Sequence, residues 1–126
     1  MSVNRVVLTG RLTADPELRQ TSSGRNVVSF SLAVNRRTKT EKGEEITDFL
    51  RITAWGQIAK YVHDYFQKGR LIACDGRLQT RKWQDQNGNN RESVEIVADN
   101  IYALDRARQK NQSQDDSDYD PFAEEA

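Results

Sequence analysis

The sequence lacks most of the residues on which catalytic, metal-binding and disulfide-linked proteins depend. It contains one cysteine and one histidine in 126 residues. The lone Cys74 excludes an internal disulfide, and its apolar neighbours at residues 71–73 indicate a buried, unreactive thiol. The lone His63 lies off the apolar stripe of a predicted helix, and one histidine and one cysteine cannot form a Cys/His zinc cluster. The sequence also has no phosphate-binding loop motif and no Ser/His/Asp grouping that stands out. We therefore expect no catalytic residue, no metal and no other cofactor.

Long hydrophobic runs are also missing. No apolar stretch is long enough to span a bilayer, and residues 1–5 carry charge without the apolar block of a signal peptide. Hydrophobic residues make up 36% of the chain and charged residues 30%, which is polar but not typical of a wholly disordered protein. These features predict a soluble protein of the reducing cytoplasm, with no membrane partner.

The formal net charge of zero conceals two oppositely charged parts. All 19 Lys and Arg lie within residues 1–110, whereas 6 of the 19 Asp and Glu lie within residues 111–126, so the body carries +6 and the end of the chain −6. From Arg106 onward hydrophobic periodicity is also lost. The sequence predicts one folded, basic domain over residues 1–105 and a disordered acidic tail over residues 106–126.

Alternation of apolar and polar residues predicts five strands. It is clearest in the second of them, where Val28, Phe30 and Leu32 share one face. Gly10 interrupts the first strand, which suggests a bulge or bend. The predicted strands cover residues 5–12, 27–36, 48–55, 71–83 and 93–102.

One segment has a helical period. Its apolar residues recur at spacings of three and four, and Gly69 provides a natural end; they are Ile58, Tyr61, Val62, Tyr65 and Phe66. One helix therefore lies between the third and fourth strands. This order predicts an all-β fold, a five-stranded oligonucleotide/oligosaccharide-binding barrel with a single helix.

Two predicted strands carry aromatic and basic side chains on the face opposite their apolar residues. On the third strand the core-facing positions are apolar, whereas the other face holds Phe49, Arg51, Thr53 and Trp55. The fourth strand repeats the pattern, with Leu78 inward and the outward residues Arg77, Gln79, Arg81 and Trp83. A strand that needed only one buried face would be polar on the other, so these rings require another explanation.

Binding of unpaired nucleic acid explains the pattern physically. Exposed bases stack on Trp and Phe, and Lys and Arg neutralise the phosphates between them. Two alternatives need no nucleic acid: Trp83 covers the core from its hairpin while the arginines are solvated, or Phe49 and Trp55 are buried against a partner subunit.

The chain resembles the bacterial single-stranded DNA-binding protein family. The resemblance extends over residues 3–104 and is carried by residues 4–12 (NRVVLTGRL), 15–19 (DPELR), 30–33 (FSLA), 48–49 (DF), 55–56 (WG), 68–69 (KG), 76–78 (GRL) and 80–83 (TRKW). It implies a homotetramer of oligonucleotide-binding barrels, at the nucleoid, that coats single strands in replication, recombination and repair. It also implies base stacking by Phe49, Trp55 and Trp83 and phosphate contacts by Arg51, Arg81, Lys82 and Lys68.

The chain departs from the family pattern between the second and third strands. A further stacking tryptophan, common there in the family, is absent, and Arg36, Arg37 and Thr38 occupy the region. Because arginine also stacks on bases, we expect Arg36 and Arg37 to contact DNA.

The end of the chain also departs from the family. The family's tail is usually longer and ends in acidic residues followed by Pro-Phe, whereas here Asp118, Asp120, Pro121 and Phe122 precede four more residues, 123–126. The resemblance implies that these four residues bind replication, recombination and repair proteins. The alternative is a solvated acidic end that aids solubility.

Two other functions fit the same residues. One is an RNA-binding barrel of the cold-shock type, which uses the same stacking, and the other is a protein-interaction subunit whose rings are buried by a partner. The sequence does not distinguish a dimer from a tetramer, nor a housekeeping protein from a paralogue specialised for DNA uptake or a mobile element.

Overall fold

The computed structural model describes residues 2–105. The predicted tail, with Asp118, Asp120, Pro121 and Phe122, lies outside the described residues. Among residues 2–105, no helix is both long enough and apolar enough to cross a membrane.

The described residues form six strands and one helix, and five of the strands are those predicted. In chain order the elements are β1 (Val6–Leu12), β2 (Glu17–Gln20), β3 (Asn26–Lys39), β4 (Glu45–Trp55), α1 (Gln57–Tyr65), β5 (Leu71–Gln84) and β6 (Asn90–Ala103). The helix lies between β4 and β5, as predicted. The short β2 was not predicted, because four residues after a proline turn are too few to show an alternating pattern.

The strands close into a barrel through β1. Its Val6 to Arg11 pair antiparallel with β5, and its last two residues, Arg11 and Leu12, pair with β3. Gly10 allows this change of partner, because a Cβ there would collide with the backbone carbonyl of Ala33. Parallel pairing of β4 with β6 completes the ring. The expected oligonucleotide-binding barrel is confirmed.

The core fills the barrel from the inward face of each strand. Its fully buried side chains include Leu12, Val28, Leu32, Ile52 and Ile72. Helix α1 covers one end with Ala59 and Val62, and Phe66 follows directly after the helix. Cys74 is 1% exposed, so the prediction of a buried thiol is confirmed. Burial, together with the charge of Asp75, raises the pKa of that thiol to about 11.

The two hairpins extend further than the alternating pattern indicated. The β3–β4 pairing continues out to Lys39 and Glu45, whose opposite charges face each other across the strands. The β5–β6 pairing continues out to Gln84 and Asn90. The expectation that Leu78 is buried in the core is wrong: the residue is 47% exposed, although it pairs with the buried Ile96 on β6.

Candidate nucleic-acid interface

A groove crosses the outer face of the barrel and joins the two strands that the sequence singled out. Its volume is about 320 Å³. The groove is lined by Arg19, Val27, Ser29, Thr53, Trp55, Gln79, Thr80, Arg81 and Glu95. Strand β6 makes the connection, since it pairs with β4 through Thr53 and with β5 through Gln79. Trp55 and Arg81, from the third and fourth predicted strands, therefore lie in one groove.

The floor of the groove is closed by two polar side chains. Thr53 and Glu95 are 5% and 8% exposed, although both lie on the outer face of their strands. Thr53 was expected on this face, but neighbouring side chains cover it. The groove is thus a depression with a closed floor, into which a flat ring can lie against the protein.

Trp55 ends β4 where the chain turns into α1. Its cross-strand partner is Val27, and the guanidinium carbon of Arg25 lies 4.7 Å from the centroid of its ring. The residue that follows, Gly56, has a positive φ of 69°, which a glycine adopts without strain. This turn fixes Trp55 at the end of the groove.

Phe49 and Arg51 continue the same face of β4 beyond the groove. Their cross-strand partners on β3 are the small residues Ala33 and Ser31. Small neighbours leave the larger side chains uncovered, and Phe49 is 67% exposed. An aromatic ring open to water on a strand face is the geometry that base stacking requires.

Lys82 and Trp83 lie at the far end of β5. They line a second depression of about 550 Å³, together with Gln84, Asn90, Arg91 and Glu92. Trp83 faces Arg91 across the hairpin and is 48% exposed. The hairpin therefore presents a ring with cations close to it, and it repeats the composition of the β4 face.

Asp85 holds the turn of this hairpin. Its carboxylate accepts hydrogen bonds from the backbone amides of Asn87 and Asn89, each at 2.9 Å, and from Nε of Arg91 at 3.0 Å. These bonds, led by that from the Asn89 backbone, hold the pKa of Asp85 below its ordinary value. The turn is thereby locked next to Trp83.

The predicted cations divide into paired and unpaired groups. Arg36 donates two hydrogen bonds to Asp48, at 2.9 and 3.1 Å, which lower the pKa of the carboxyl and raise that of the guanidinium. Arg77 pairs with Asp99 at 3.0 Å. Within residues 2–105 no ion pair is formed by Arg37, Arg51, Lys68, Arg81 or Lys82. This second group has its charge free for a phosphate.

Lys68 lies apart from both depressions. It follows α1, and its backbone amide donates a hydrogen bond to Asp15 at 2.8 Å. Its side chain lines neither the groove nor the depression on the hairpin. A strand of nucleic acid bound in the groove would have to leave the groove and continue around the barrel to reach Lys68.

Two cations beside Trp55 were missed by the sequence analysis. Arg19 lines the groove from β2, opposite Val27, and Arg25 follows the turn between β2 and β3. The signal for Arg19 was the row Arg19, Val27 and Trp55 across three strands. That row can be drawn only once β2 is known to be a strand.

Comparison with known proteins agrees with the nucleic-acid-binding character of the groove. A model of the single-strand binding protein family matches residues 3–104. The chain belongs to this family. Since the family consists of non-catalytic DNA-binding proteins, the resemblance drawn from the sequence and the expectation that the chain is not an enzyme are both confirmed.

Curated relatives cover most of the chain. It is 45% identical over 113 residues, 90% of its length, to a single-stranded DNA-binding protein of Staphylococcus aureus strain MRSA252, of which it covers 72%. Proteins of the same name from Streptococcus mutans and Caldanaerobacter subterraneus are each 44% identical, over 88% and 82% of the chain and 68% and 69% of their own lengths.

Proposed function

We propose that this chain binds single-stranded DNA independently of sequence, by stacking bases on its exposed rings and neutralising the phosphates between them. The stacking residues are Phe49, Trp55 and Trp83, and the phosphate-binding residues are Arg51, Arg81 and Lys82, with Arg36, Arg37, Lys68 and Arg77 as further cations. The observation that carries the proposal is the single groove that brings Trp55 and Arg81 together. Family membership supports it.

The chemistry of the surface favours single strands over duplexes. In a duplex the flat faces of the bases are stacked on one another and cannot reach a protein ring. The described groove offers the ring of Trp55 and the guanidinium groups of Arg19 and Arg81. Stacking on a ring and pairing with a phosphate do not depend on base identity. Each stacked base contributes on the order of 1–3 kcal/mol.

The paired arginines contribute less than their charge suggests. Arg36 and Arg77 already bind carboxylates in the free protein. A phosphate must displace those partners, so the gain on binding is only the difference between two ion pairs. We infer that Arg51, Arg81 and Lys82 supply most of the electrostatic attraction.

We further propose that the protein acts as a homotetramer that coats single strands in replication, recombination and repair. Exposed apolar side chains on the barrel support an interface between copies: Val7 on β1 is 73% exposed and Tyr102 on β6 is 48% exposed. Both lie on the outward face of the β1–β5–β6 sheet. Sedimentation should give the mass of four chains, and Val7→Asp should lower it. A dimeric mass for the unmodified protein would contradict the tetramer.

We also propose that residues 1–105 form the DNA-binding domain and that residues 106–126 are an acidic appendix. In this proposal Asp118, Asp120, Pro121 and Phe122 bind partner proteins at the nucleoid. Phe122→Ala should then abolish capture of replication, recombination or repair proteins while DNA affinity is unchanged. If Phe122→Ala captures these partners as well as the unmodified protein does, the tail is a solvated acidic end rather than a binding segment.

A competition experiment tests the proposed function. Oligothymidine, a duplex of equal length and an RNA of equal length are each titrated against a labelled single strand of DNA. We expect oligothymidine to displace the label at far lower concentration than the duplex. Stronger displacement by RNA would favour an RNA-binding barrel, and no binding of the label at all would favour a protein-interaction subunit.

A further inference from the structure

Two arginines lie over aromatic rings in the described part of the chain, and their surroundings differ. The guanidinium carbon of Arg70 is 5.2 Å from the centroid of Phe66, but its side chain is 11% exposed and pairs with Asp105 at 2.7 Å. Its charge is neutralised by the protein. Arg25 over Trp55 is exposed, and its side chain makes neither a hydrogen bond nor an ion pair within residues 2–105. Its charge is therefore available to a ligand.

The backbone holds Arg25 in place without using its side chain. In the turn between β2 and β3 the amide of Thr21 donates to the carbonyl of Arg25 at 2.9 Å, and the amide of Arg25 donates to Oγ1 of Thr21 at 3.1 Å. Arg25 precedes Val27, the cross-strand partner of Trp55, by two residues. Arg25 lies one residue before β3 begins at Asn26, and the turn leaves its guanidinium over the ring.

A guanidinium over a ring can still bind a phosphate. Its N–H donors lie in the plane of the group and match two phosphate oxygens, while its flat face contacts the aromatic ring. A nucleotide whose base stacks on Trp55 brings its own phosphate to the vicinity of the ring. A cation already fixed there meets that phosphate without losing further side-chain freedom.

We propose that Arg25 and Trp55 act as one binding unit, in which Arg25 binds the phosphate of the nucleotide whose base stacks on Trp55. This inference rests on the proposed function, and it adds a residue to the site that the sequence pattern did not supply. The unit joins the β2–β3 turn to the groove. It therefore extends the path of the DNA past the end of β4.

The test compares Arg25→Ala and Arg25→Lys with the unmodified protein. In a Trp83→Phe background, tryptophan fluorescence reports Trp55 alone, and oligothymidine is titrated at several salt concentrations. For Arg25→Ala we expect roughly tenfold weaker binding, the loss typical of a hydrogen bond to a charged group. The log–log salt slope should become shallower by about 0.7, the value for one phosphate of a single strand. Arg25→Lys should keep the slope but bind more weakly than arginine.

Lys60→Ala is the matched control. Lys60 carries the same charge on the exposed face of α1, where it pairs with Asp64 at 3.3 Å. The control should keep both affinity and slope. The thermal melt of Arg25→Ala should lie close to that of the unmodified protein, because the variant loses only the contact of the guanidinium with the Trp55 ring.

A double-mutant cycle tests whether the two residues act together. If they form one unit, Arg25→Ala combined with Trp55→Ala should weaken binding by less than the product of the two separate effects, as measured by the fluorescence anisotropy of a labelled oligothymidine with Trp83 retained. Tighter binding by Arg25→Ala would mean that the guanidinium occupies the place of a base, and unchanged binding would mean a solvated cation. Either result overturns the inference and leaves the proposed function standing, whereas failure of the unmodified protein to bind single strands removes the proposed function itself.

Discussion

The three rings on the outer face differ in how much protein surrounds them. Phe49 and Trp83 are 67% and 48% exposed, whereas Trp55 is half-buried and contacts Arg25. Strand alternation predicted that all three point outward, because the side-chain period of two holds wherever a strand is regular. It could not predict Arg25, since that contact depends on the turn after a strand too short to recognise.

At the residue scale, Trp83→Ala should weaken binding of oligothymidine by roughly 1–3 kcal/mol, the contribution of one stacked base. The fold should be unaffected, because the ring lies on the hairpin outside the barrel core. Fluorescence anisotropy of a labelled strand measures the affinity. Tyr65→Ala is the control, since Tyr65 is also exposed, at 65%, but lies on α1 against Tyr61. Equal losses in both variants would contradict stacking at Trp83.

Cys74 gives a prediction about pH. Its pKa rises from 9.0 to about 11 on folding, so the folded state favours the protonated thiol. This contribution to stability is complete below pH 9 and is lost as pH rises towards 11, by up to about 3 kcal/mol. Urea denaturation measures the free energy of unfolding of the unmodified protein and of Cys74→Ala. Between pH 9 and pH 11 the unmodified protein should lose stability relative to the variant. A difference independent of pH would contradict the burial of the thiol.

At the scale of elements, strands were predicted correctly where a segment pairs along its whole length. The alternation at residues 27–36 reflects burial on one side, which the sequence records directly. In the helical segment the period placed Val62 and Phe66 correctly in the core, whereas Tyr61 and Tyr65 are exposed. The position of Leu78 was predicted wrongly because alternation assigns a side chain to one face of a strand but does not show whether other side chains cover it; Leu78 is 47% exposed. The order of the strands in the sheet could not be predicted either. Thr53 and Gln79 lie near each other because β4 and β5 both pair with β6, and these pairings join residues that are distant in sequence.

The β5–β6 hairpin gives a prediction at this scale. Asp85→Ala removes three hydrogen bonds that hold the turn beside Trp83. We expect DNA binding to weaken, because the ring becomes less well placed, but by less than the roughly 1–3 kcal/mol expected for loss of the ring itself. Affinity for oligothymidine and the anisotropy of Trp83 in a Trp55→Phe background measure the effect.

Asp64→Ala is the control for the hairpin. It removes the same charge from α1, where Asp64 contacts Lys60 and His63. Loss of a carboxylate should by itself favour a polyanion, so weaker binding by Asp85→Ala alone would identify the hairpin turn as the cause. Tighter binding by both variants would show that charge outweighs the order of the turn.

At the scale of the whole molecule, the separation of charge predicts competition. Residues 1–110 carry +6 and residues 111–126 carry −6, so the acidic end can occupy the same cations as DNA. Truncation after Lys110 should therefore raise the affinity for oligothymidine at low salt, and the gain should vanish at high salt because screening weakens the attraction. Equal affinities of the two proteins at low salt would contradict competition by the tail.

The central claim is that unpaired bases stack on these rings while cations bind the phosphates. Tryptophan fluorescence during titration with oligothymidine at a series of salt concentrations tests both parts at once. We expect quenching on binding, and an affinity that falls with salt with a log–log slope of about −0.7 for each phosphate neutralised. Fluorescence that does not change at saturation, or an affinity that does not depend on salt, would contradict the claim.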